Sequence, residues 1–367
     1  MTLVGYEQGC SRARAREAGA IVYCEGAYGG LDGKTAHGLV RRSERYRVLS
    51  VIDSTHSGVD AGEALDGRAR GIPIVSDLAE ALTAADGEAT HLVIGLAPLG
   101  GALDDTGRRA VESAIEGGLE VHSGLHDRLG ADPRLAKLAA RRGVELLDVR
   151  RPPALSELHH FSGKIARVES PRVAVLGVDS GIGKRTTAWL LVDELRRQGR
   201  TAELIGTGQT AWLQGADYFV PIDALVYDFV PGEIEHAVWT AWHERRSELL
   251  VVEGQGGLLS PGYFGGPEIL VSARPACVIL QHAPGRREYD GCPGFEIEPL
   301  ARQLAAVSGL TPAPVAAIGV GREGLATEDL PGVCAAIEAE SGVPAIDVLE
   351  ADAGVRLLEA VESTLDP

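Results

Sequence analysis

The strongest chemical signal in this chain is a glycine-rich run between an apolar segment and an amphipathic one. Residues 172–199 read RVAVLGVDSGIGKRTTAWLLVDELRRQG. Glycines let the backbone turn tightly and aim N–H groups at an anion, while a helix N-terminus adds its dipole and Lys184 adds a point charge. The run therefore predicts a phosphate-binding loop. Its candidate binding residues are Gly177, Asp179, Ser180, Gly181, Gly183, Lys184, Arg185, Thr186 and Thr187.

This loop departs from the strict Walker pattern in two respects. Five residues separate Gly177 from Gly183 where the strict pattern has four, and the longer spacing resembles the dethiobiotin-synthetase branch of P-loop proteins. The Ser or Thr that would hold magnesium directly after the lysine is replaced by Arg185, which leaves Thr186 or Thr187 as substitutes. The loop thus predicts phosphate binding without specifying ATP and magnesium.

A second group of polar residues follows the apolar run LLVV in the segment LLVVEGQGGLLSPGYFGG. Glu253 stands where a Walker-B-like acid would sit, and it faces the phosphate loop if the two strands are neighbours. It could then hold a metal, act as a general base or orient the loop, or it could cap the following glycine turn. Gln255 and Tyr263 offer hydrogen bonds to a substrate. Asp223 and Asp228 either bind a metal, support other ligands or cap helices.

A third group ends the apolar run of CVILQHAPGRREYDGCPGF. His282 supplies a base, although an ordinary strand-end histidine is an equal interpretation. Arg286 and Arg287 carry guanidinium forks that suit carboxylates and phosphates, and their alternative is a solvated surface pair. Gln209, in the turn GTGQTAWL, is a further candidate substrate ligand at a strand end.

The elements that must position these residues repeat in both halves of the chain. In the first half, helical patterns alternate with six short β-rich runs, AIVYC, YRVLSVID, IPIV, THLVIGLA, LEVHSG and VELLDV. The second half alternates in the same way, with RVAVLGV, AELIGTG, LLVVEGQG, ACVILQH and PVAAIGV as strands. Such alternation predicts α/β architecture with parallel sheets. We expect two doubly wound domains, Rossmann-like over residues 1–160 and P-loop NTPase-like over residues 161–367, because prolines interrupt the pattern between them.

The first domain carries no intact dinucleotide fingerprint. Gly26, Gly29 and Gly30 follow the first strand without the G-x-G-x-x-G spacing, although Asp53 ends the next strand where a ribose-binding acid would lie. Nicotinamide binding is therefore not favoured. The turns DSTHSG and SGLHD either complete a site between the domains or cap helices.

Composition excludes several classes of partner. The formal net charge of −17 repels nucleic acid and anionic lipid, so an anionic ligand needs a local positive site. The five cysteines form no C-x-x-C pair, which is typical of a reducing compartment rather than of a disulfide framework or a zinc knuckle. Charges interrupt the N-terminal residues and no window approaches eighteen uncharged apolar residues, so we expect no signal peptide, no membrane span and a cytoplasmic location.

Several ordered motifs resemble one known family across nearly the whole chain. They are CEGAYGGLDGKTAHGLVRRSERY, VIDSTHSGVDAGE, SGLHD, GVDSGIGKRTT, GTGQT, VEGQGGLLSPGY and HAPGR. The chain is similar to the DgcN-like family of D-glutamate N-acetyltransferases, long catalogued as a domain of unknown function. That resemblance implies a Rossmann-like domain followed by a P-loop domain. It also implies transfer of acetyl from acetyl-CoA, as co-substrate, to the amine of an acidic amino acid, most of all D-glutamate.

The resemblance implies roles for the candidate residues. The phosphate loop would hold the phosphates of coenzyme A with no obligatory metal, and Arg286 or Arg287 would clamp a substrate carboxylate. Glu253 or His282 would take the ammonium proton, so these two and Lys184 are the expected catalytic residues. N–H groups near Gly256 or Gly285 would stabilise the oxyanion. By analogy with related P-loop enzymes, we expect a homo-oligomer.

Two other hypotheses remain open at the level of sequence. The dethiobiotin-synthetase-like loop and the VEGQGG run also fit an ATP- and magnesium-dependent ligase or kinase that activates a carboxylate. A non-enzymatic alternative is a nucleotide-sensing module whose two domains move on binding. Release of free thiol from acetyl-CoA would indicate the acetyltransferase, and release of ADP would indicate the ligase or kinase. Tight binding without turnover would indicate the sensing module.

Overall fold

The computed structural model describes residues 18–365. The N-terminal stretch to which the signal-peptide expectation refers, including Cys10, lies outside the described residues. The described chain forms two compact units. The N-terminal unit extends to Glu157 and also includes Gln209–Gly215, and the C-terminal unit comprises Leu158–Gly208 and the residues from Ala216 onward. The sequence did not predict the short insertion of residues 209–215.

The N-terminal unit is built on a six-stranded parallel sheet with the order β3-β2-β1-β4-β5-β6. Its strands are β1 (Ala18–Tyr23), β2 (Tyr46–Ile52), β3 (Ile74–Val75), β4 (His91–Ile94), β5 (Glu120–Ser123) and β6 (Leu146–Asp148). Its crossover helices are α1 (Lys34–Arg41), α2 (Ala61–Asp66), α3 (Leu78–Ala84), α4 (Asp105–Glu116) and α5 (Pro133–Arg142). This strand order is that of a doubly wound Rossmann-like sheet. All six predicted strands are present.

Local sequence accounts for the helices of this unit. Asp132 accepts hydrogen bonds from the N–H groups of Arg134 and Leu135, so it caps α5 as its position predicts. Apolar residues of the sheet and of α3, α4 and α5 share one core, in which Ile21, Leu92 and Val121 are completely buried. The strands and these helices therefore pack around one continuous apolar core.

The C-terminal unit is built on a seven-stranded parallel sheet with the order β13-β12-β11-β7-β10-β8-β9. Its strands are β7 (Arg172–Gly177), β8 (Ala202–Gly206), β9 (Tyr218–Phe219), β10 (Leu249–Glu253), β11 (Cys277–His282), β12 (Val315–Val320) and β13 (Ala345–Asp347). Helices α6 (Lys184–Arg197), α8 (Val230–Arg245), α9 (Pro267–Ala273), α10 (Leu300–Leu310), α11 (Leu330–Ser341) and α12 (Ala353–Leu365) belong to it, while the chain also forms α7 (Gln209–Gln214) between β8 and β9. The prediction of two α/β domains with parallel sheets is confirmed.

Strand order decides which loops meet in this second sheet. The phosphate-loop strand β7 pairs with β11 on one side and with β10 on the other, in both cases parallel. Because the carboxyl ends of parallel strands share one edge, the loops after β7, β10 and β11 lie side by side. Among residues 18–365, every helix is too short or too polar to cross a membrane.

Candidate phosphate-binding site

The phosphate loop connects β7 directly to α6. Gly181 has φ +67° and Gly183 has φ +108°, conformations that side chains with a Cβ rarely adopt. The chain can therefore turn back at these two glycines and begin α6 at Lys184. Strand, glycine turn and helix follow one another as the sequence predicts.

Lys184 is buried beneath this loop and holds it to its neighbour. Its Nζ donates to the carbonyl oxygens of Asp179 at 2.5 Å and Gly256 at 2.6 Å. The two loops approach so closely that a Cβ on Gly257 would lie 2.5 Å from the Val178 carbonyl oxygen. The ammonium group therefore lies between the loops after β7 and β10. Because the glycines have no side chain, the backbones of these two loops can come into close contact.

Asp179 ties the phosphate loop to the segment after β11. Its Oδ2 accepts from Arg286 Nη1 and from the Asp290 N–H, both at 2.8 Å. Its Oδ1 is buried and has no hydrogen-bond partner. Ser180 adds a second connection, since its Oγ donates to Asp290 Oδ2 at 2.6 Å. A buried acceptor with a vacant lone pair is a point at which a ligand donor fits.

The two adjacent arginines have different surroundings. Arg286 Nη1 also donates to the Ser180 carbonyl oxygen at 2.7 Å, and its Nε donates to Glu323 at 3.1 Å. The side chain of Arg287 is 84% exposed and pairs with Glu296 at 2.8 Å. Arg286 thus organises the phosphate loop, whereas Arg287 forms a solvated surface pair, the alternative that the sequence left open for both.

Glu253 ends β10 directly beside β7, so the condition for placing it near the phosphate loop is met. Only 5% of the residue is exposed. Burial raises the pKa of its carboxyl group, and the positive charges of Arg185 and Lys184 oppose that shift. Arg185 Nη1 lies 4.0 Å from Glu253 Oε1, and the Thr207 N–H donates to Oε2 at 3.3 Å. A carboxylate in this setting readily accepts a proton.

His282 ends β11, the other neighbour of β7. Burial lowers the pKa of its imidazole, so the ring is neutral at neutral pH. Its Nδ1 is buried without a hydrogen-bond partner. The ring is therefore a second group at this edge that is able to accept or donate a hydrogen bond to a ligand.

Gln281, which the sequence did not single out, lies against the beginning of α6. It is completely buried, its Oε1 accepts from Thr187 Oγ1 at 2.7 Å, and its Nε2 has no partner. A Cβ added to Gly183 would stand 3.5 Å from that Nε2. The signal for Gln281 was a polar residue within an otherwise apolar strand, next to His282.

The remaining predicted substrate ligands do not form one group. Gln255 Nε2 donates to Asp223 Oδ2 at 2.6 Å, while the buried Oε1 has no partner. Tyr263 is partly exposed, and its carbonyl oxygen accepts from the Gly257 N–H at 2.8 Å. Gln209 belongs to the N-terminal unit, where Arg150 Nη2 donates to its Oε1 at 2.7 Å.

Models of known families match both units. The DUF1611 C-terminal P-loop domain, described as a domain of unknown function, matches residues 159–358, which is more than half of the chain. The chain belongs to the DUF1611 family. The N-terminal Rossmann-like domain of the same family matches residues 54–152.

Named relatives and a solved structure extend this comparison. The chain is 31% identical to a D-glutamate N-acetyltransferase of Tritonibacter scottomollicae, over 74% of this chain and 81% of that protein. It is 28% identical to a D-glutamate N-acetyltransferase of Pseudoalteromonas sp, over 71% and 78% respectively. The crystal structure of a DUF1611 family protein from Anabaena variabilis is 30% identical with a TM-score of 0.84, and it covers 95% of this chain and 100% of that chain.

This DUF1611 protein therefore combines a phosphate loop with groups suited to proton transfer. Asp179 lies on the loop after β7 and Lys184 begins α6, while Glu253 and His282 end β10 and β11, the two strands beside β7. Buried polar atoms without partners occur on Asp179, Gln255, Gln281 and His282. Because a buried polar atom usually has a hydrogen-bond partner, these four atoms make this edge of the sheet the candidate ligand site.

Proposed function

We propose that this chain transfers the acetyl group of acetyl-CoA to the amine of D-glutamate. The support outside the molecule is the name shared by two relatives that are 28–31% identical over more than two thirds of the chain. The observation that carries the proposal is the position of Glu253, a buried acid with a raised pKa on the strand beside a phosphate loop. Acyl transfer to an amine needs both a phosphate anchor and a proton acceptor.

The loop suits an anchored phosphate better than a transferred one. Arg185 occupies the position of the magnesium-binding hydroxyl, and the Thr187 hydroxyl donates to Gln281. The phosphates of coenzyme A require only N–H groups and positive charge, because no phosphoryl group moves. We therefore assign Gly181, Gly183 and Lys184 to binding the phosphate groups of acetyl-CoA.

Glu253 is the proposed general base. It accepts a proton from the ammonium group of D-glutamate, which leaves a nitrogen lone pair to attack the thioester carbonyl. The C–N bond forms, the C–S bond breaks, and the departing thiolate takes up the second proton that the nitrogen loses as it becomes the amide. N–H groups near Gly256 or Gly285 stabilise the intermediate oxyanion. His282, a neutral imidazole on the other side of β7, is the second candidate for the proton transfers.

Arginines provide the proposed contacts to the substrate carboxylates. The Arg185 guanidinium lies 4.0 Å from Glu253, so a carboxylate bound beside the base meets a positive charge. Arg286 already contacts Asp179 and the Ser180 carbonyl oxygen inside the protein, but its other charged partner, Glu323, has a side chain that is 48% exposed. A substrate carboxylate can therefore replace Glu323 as the partner of Arg286, because few buried contacts would be lost.

The decisive experiment supplies purified protein with acetyl-CoA and either D- or L-glutamate, without ATP or added metal. We expect thiol release with the D-isomer and N-acetylglutamate by mass spectrometry. No thiol release with any acidic amino acid would refute the proposal. ADP release with ATP, magnesium and a carboxylic acid would instead establish the ligase or kinase alternative, which Glu253 at a Walker-B-like position also fits.

A further inference from the structure

The N-terminal unit contains a cluster of two histidines and a glutamate that the proposed reaction does not use. His91 begins β4, and Glu120 and His122 lie on the neighbouring strand β5. His91 and Glu120 are register partners, and His122 follows Glu120 by two residues. Because alternate residues of a strand project from the same face, all three side chains share one face of the sheet.

The ligand atoms of this cluster converge. One nitrogen or oxygen of each residue lies within 4.8 Å of the others, and His91 Nε2 is 3.0 Å from Glu120 Oε2. His122 is only 1% exposed, yet its Nε2 has no hydrogen-bond partner. A buried nitrogen without a hydrogen-bond partner lowers the stability of the fold, so an ion or a donor bound at this nitrogen would stabilise it.

Both histidines have their second ring nitrogen occupied by a hydroxyl. His122 Nδ1 is 2.5 Å from the Tyr46 hydroxyl oxygen, and His91 Nδ1 is 2.7 Å from Thr90 Oγ1. When each Nδ1–H donates to its hydroxyl, each Nε2 presents a lone pair to the cluster. Metal-binding histidines are held in this way, with the remaining N–H fixed by an outer hydrogen bond.

Aromatic rings cover the cluster on the same face. The Tyr46 ring of β2 packs against the His91 ring at a centroid distance of 5.6 Å. The Trp212 ring packs edge to face with His122 at a centroid distance of 5.8 Å. The positive charge of Arg45 opposes binding of a cation here, but its guanidinium group stacks on Trp212, 3.8 Å from the ring centroid.

We propose that His91 Nε2, His122 Nε2 and the Glu120 carboxylate bind one zinc ion, with water as the fourth ligand. Two imidazoles and one carboxylate favour zinc over magnesium or calcium, which prefer oxygen ligands. Ligand bonds of about 2.0–2.2 Å require the three atoms to draw together. Glu120 can make that movement because its side chain is 44% exposed.

The position of this site indicates a structural role. His91 and Glu120 are the first residues of β4 and β5, at the amino ends of the strands. Crossover loops that bind ligands in doubly wound sheets lie at the opposite, carboxyl ends. Bound zinc would therefore join β4 to β5 and stabilise the N-terminal unit without taking part in acetyl transfer.

The test uses the untagged full-length chain, stripped of metal by chelator and titrated with zinc chloride by calorimetry. We expect one equivalent to bind and the melting temperature to rise with zinc, because the ion binds the folded state. Cobalt chloride should give the visible absorption of a tetrahedral nitrogen and oxygen site. Glu120→Gln should abolish stoichiometric binding, and Tyr46→Phe should weaken it by about 10–100-fold.

The matched control is His243→Gln, which removes an exposed histidine of α8. This variant should bind zinc like the wild type. Failure of the wild type to bind, or binding that survives Glu120→Gln unchanged, would overturn the proposal. Glu120 is partly exposed and Gln has its size, so the Glu120→Gln variant should fold, which circular dichroism checks.

Discussion

The first strand-to-helix connections of the two units have the same layout. They differ in whether the polar side chains around them have hydrogen-bond partners. In both, a buried strand leads through a glycine-containing turn to a helix that starts with lysine, Lys34 in α1 and Lys184 in α6. In the N-terminal unit, Asp53 is completely buried and its carboxylate accepts from the N–H groups of Tyr28 and Thr55. Its hydrogen-bonding capacity is used by the protein itself.

Around the corresponding connection of the C-terminal unit, several buried polar atoms lack hydrogen-bond partners. Asp179 keeps a buried oxygen without a partner, and Gln281 and His282 on the adjacent strand each keep a buried nitrogen without one. The same architecture therefore produces a closed turn in one unit and a candidate ligand site in the other. What differs is whether the polar groups at the strand ends are satisfied by neighbouring backbone, and this distinction can be tested by substitution.

Glu253→Gln should have the largest effect on activity. Loss of a general base should lower kcat by about 100–10,000-fold. The wild-type rate should rise with pH through a pKa above the ordinary range of glutamate, since the base must be ionised. Steady-state kinetics over a pH series measures both effects. A variant with wild-type kcat would remove Glu253 from the mechanism.

The same variant should melt at a higher temperature than the wild type. A folded-state pKa that is raised gives stability at low pH, where the carboxyl is protonated, and that stability is lost as pH rises through the folded pKa. At neutral pH, which is above the unfolded pKa, the raised folded-state pKa is therefore a loss of stability that glutamine removes. Thermal unfolding at neutral pH tests this, and a lower melting temperature would show that Glu253 is a structural acid.

Arg286→Ala should destabilise the C-terminal unit because it leaves the buried Asp179 carboxylate without its cation. Breaking a buried pair of this kind costs roughly 3–5 kcal/mol. Its control is Arg287→Ala, whose exposed pair with Glu296 should contribute at most about 1 kcal/mol. Urea unfolding of both variants gives the comparison, and equal losses would contradict the difference assigned to these neighbours.

Lys184→Ala should weaken binding of coenzyme A by about 1.5–3 kcal/mol, the range for hydrogen bonds to charged groups. Lys137→Ala, at an exposed position of α5, is the matched control and should bind normally. Isothermal titration with coenzyme A measures both. Wild-type affinity in a folded Lys184→Ala protein would place the phosphates elsewhere.

Asp53→Asn should test the closed turn of the N-terminal unit. Burial raises the pKa of Asp53, but hydrogen bonds from Thr55 and Tyr28 outweigh it and the net shift is downward. Its contribution to stability is thus present above the unfolded pKa and is lost as pH falls through the folded pKa. We expect a loss of about 1.5–3 kcal/mol in the free energy of unfolding at pH 7, smaller in acid, and unchanged acetyl transfer.

Local pattern was enough to locate most of the secondary structure. Buried parallel strands are continuous apolar runs, and the helix at 133–142 has both an apolar periodicity and a capping Asp132. The strands β9 and β13, of two and three residues, were not predicted. The helix α7 was not predicted either, because its six residues are too few to show a helical periodicity.

The sequence by itself determined the phosphate loop, because its glycines, lysine and helix are contiguous and their chemistry needs no distant partner. Only the tertiary structure decided that β10 and β11 flank β7, and with that the proximity of Glu253 and His282 to the loop. It also separated Arg286 from Arg287 and brought His91 together with His122. Adjacent residues diverge and distant ones converge because strand pairing, which sets these contacts, is a property of the whole sheet.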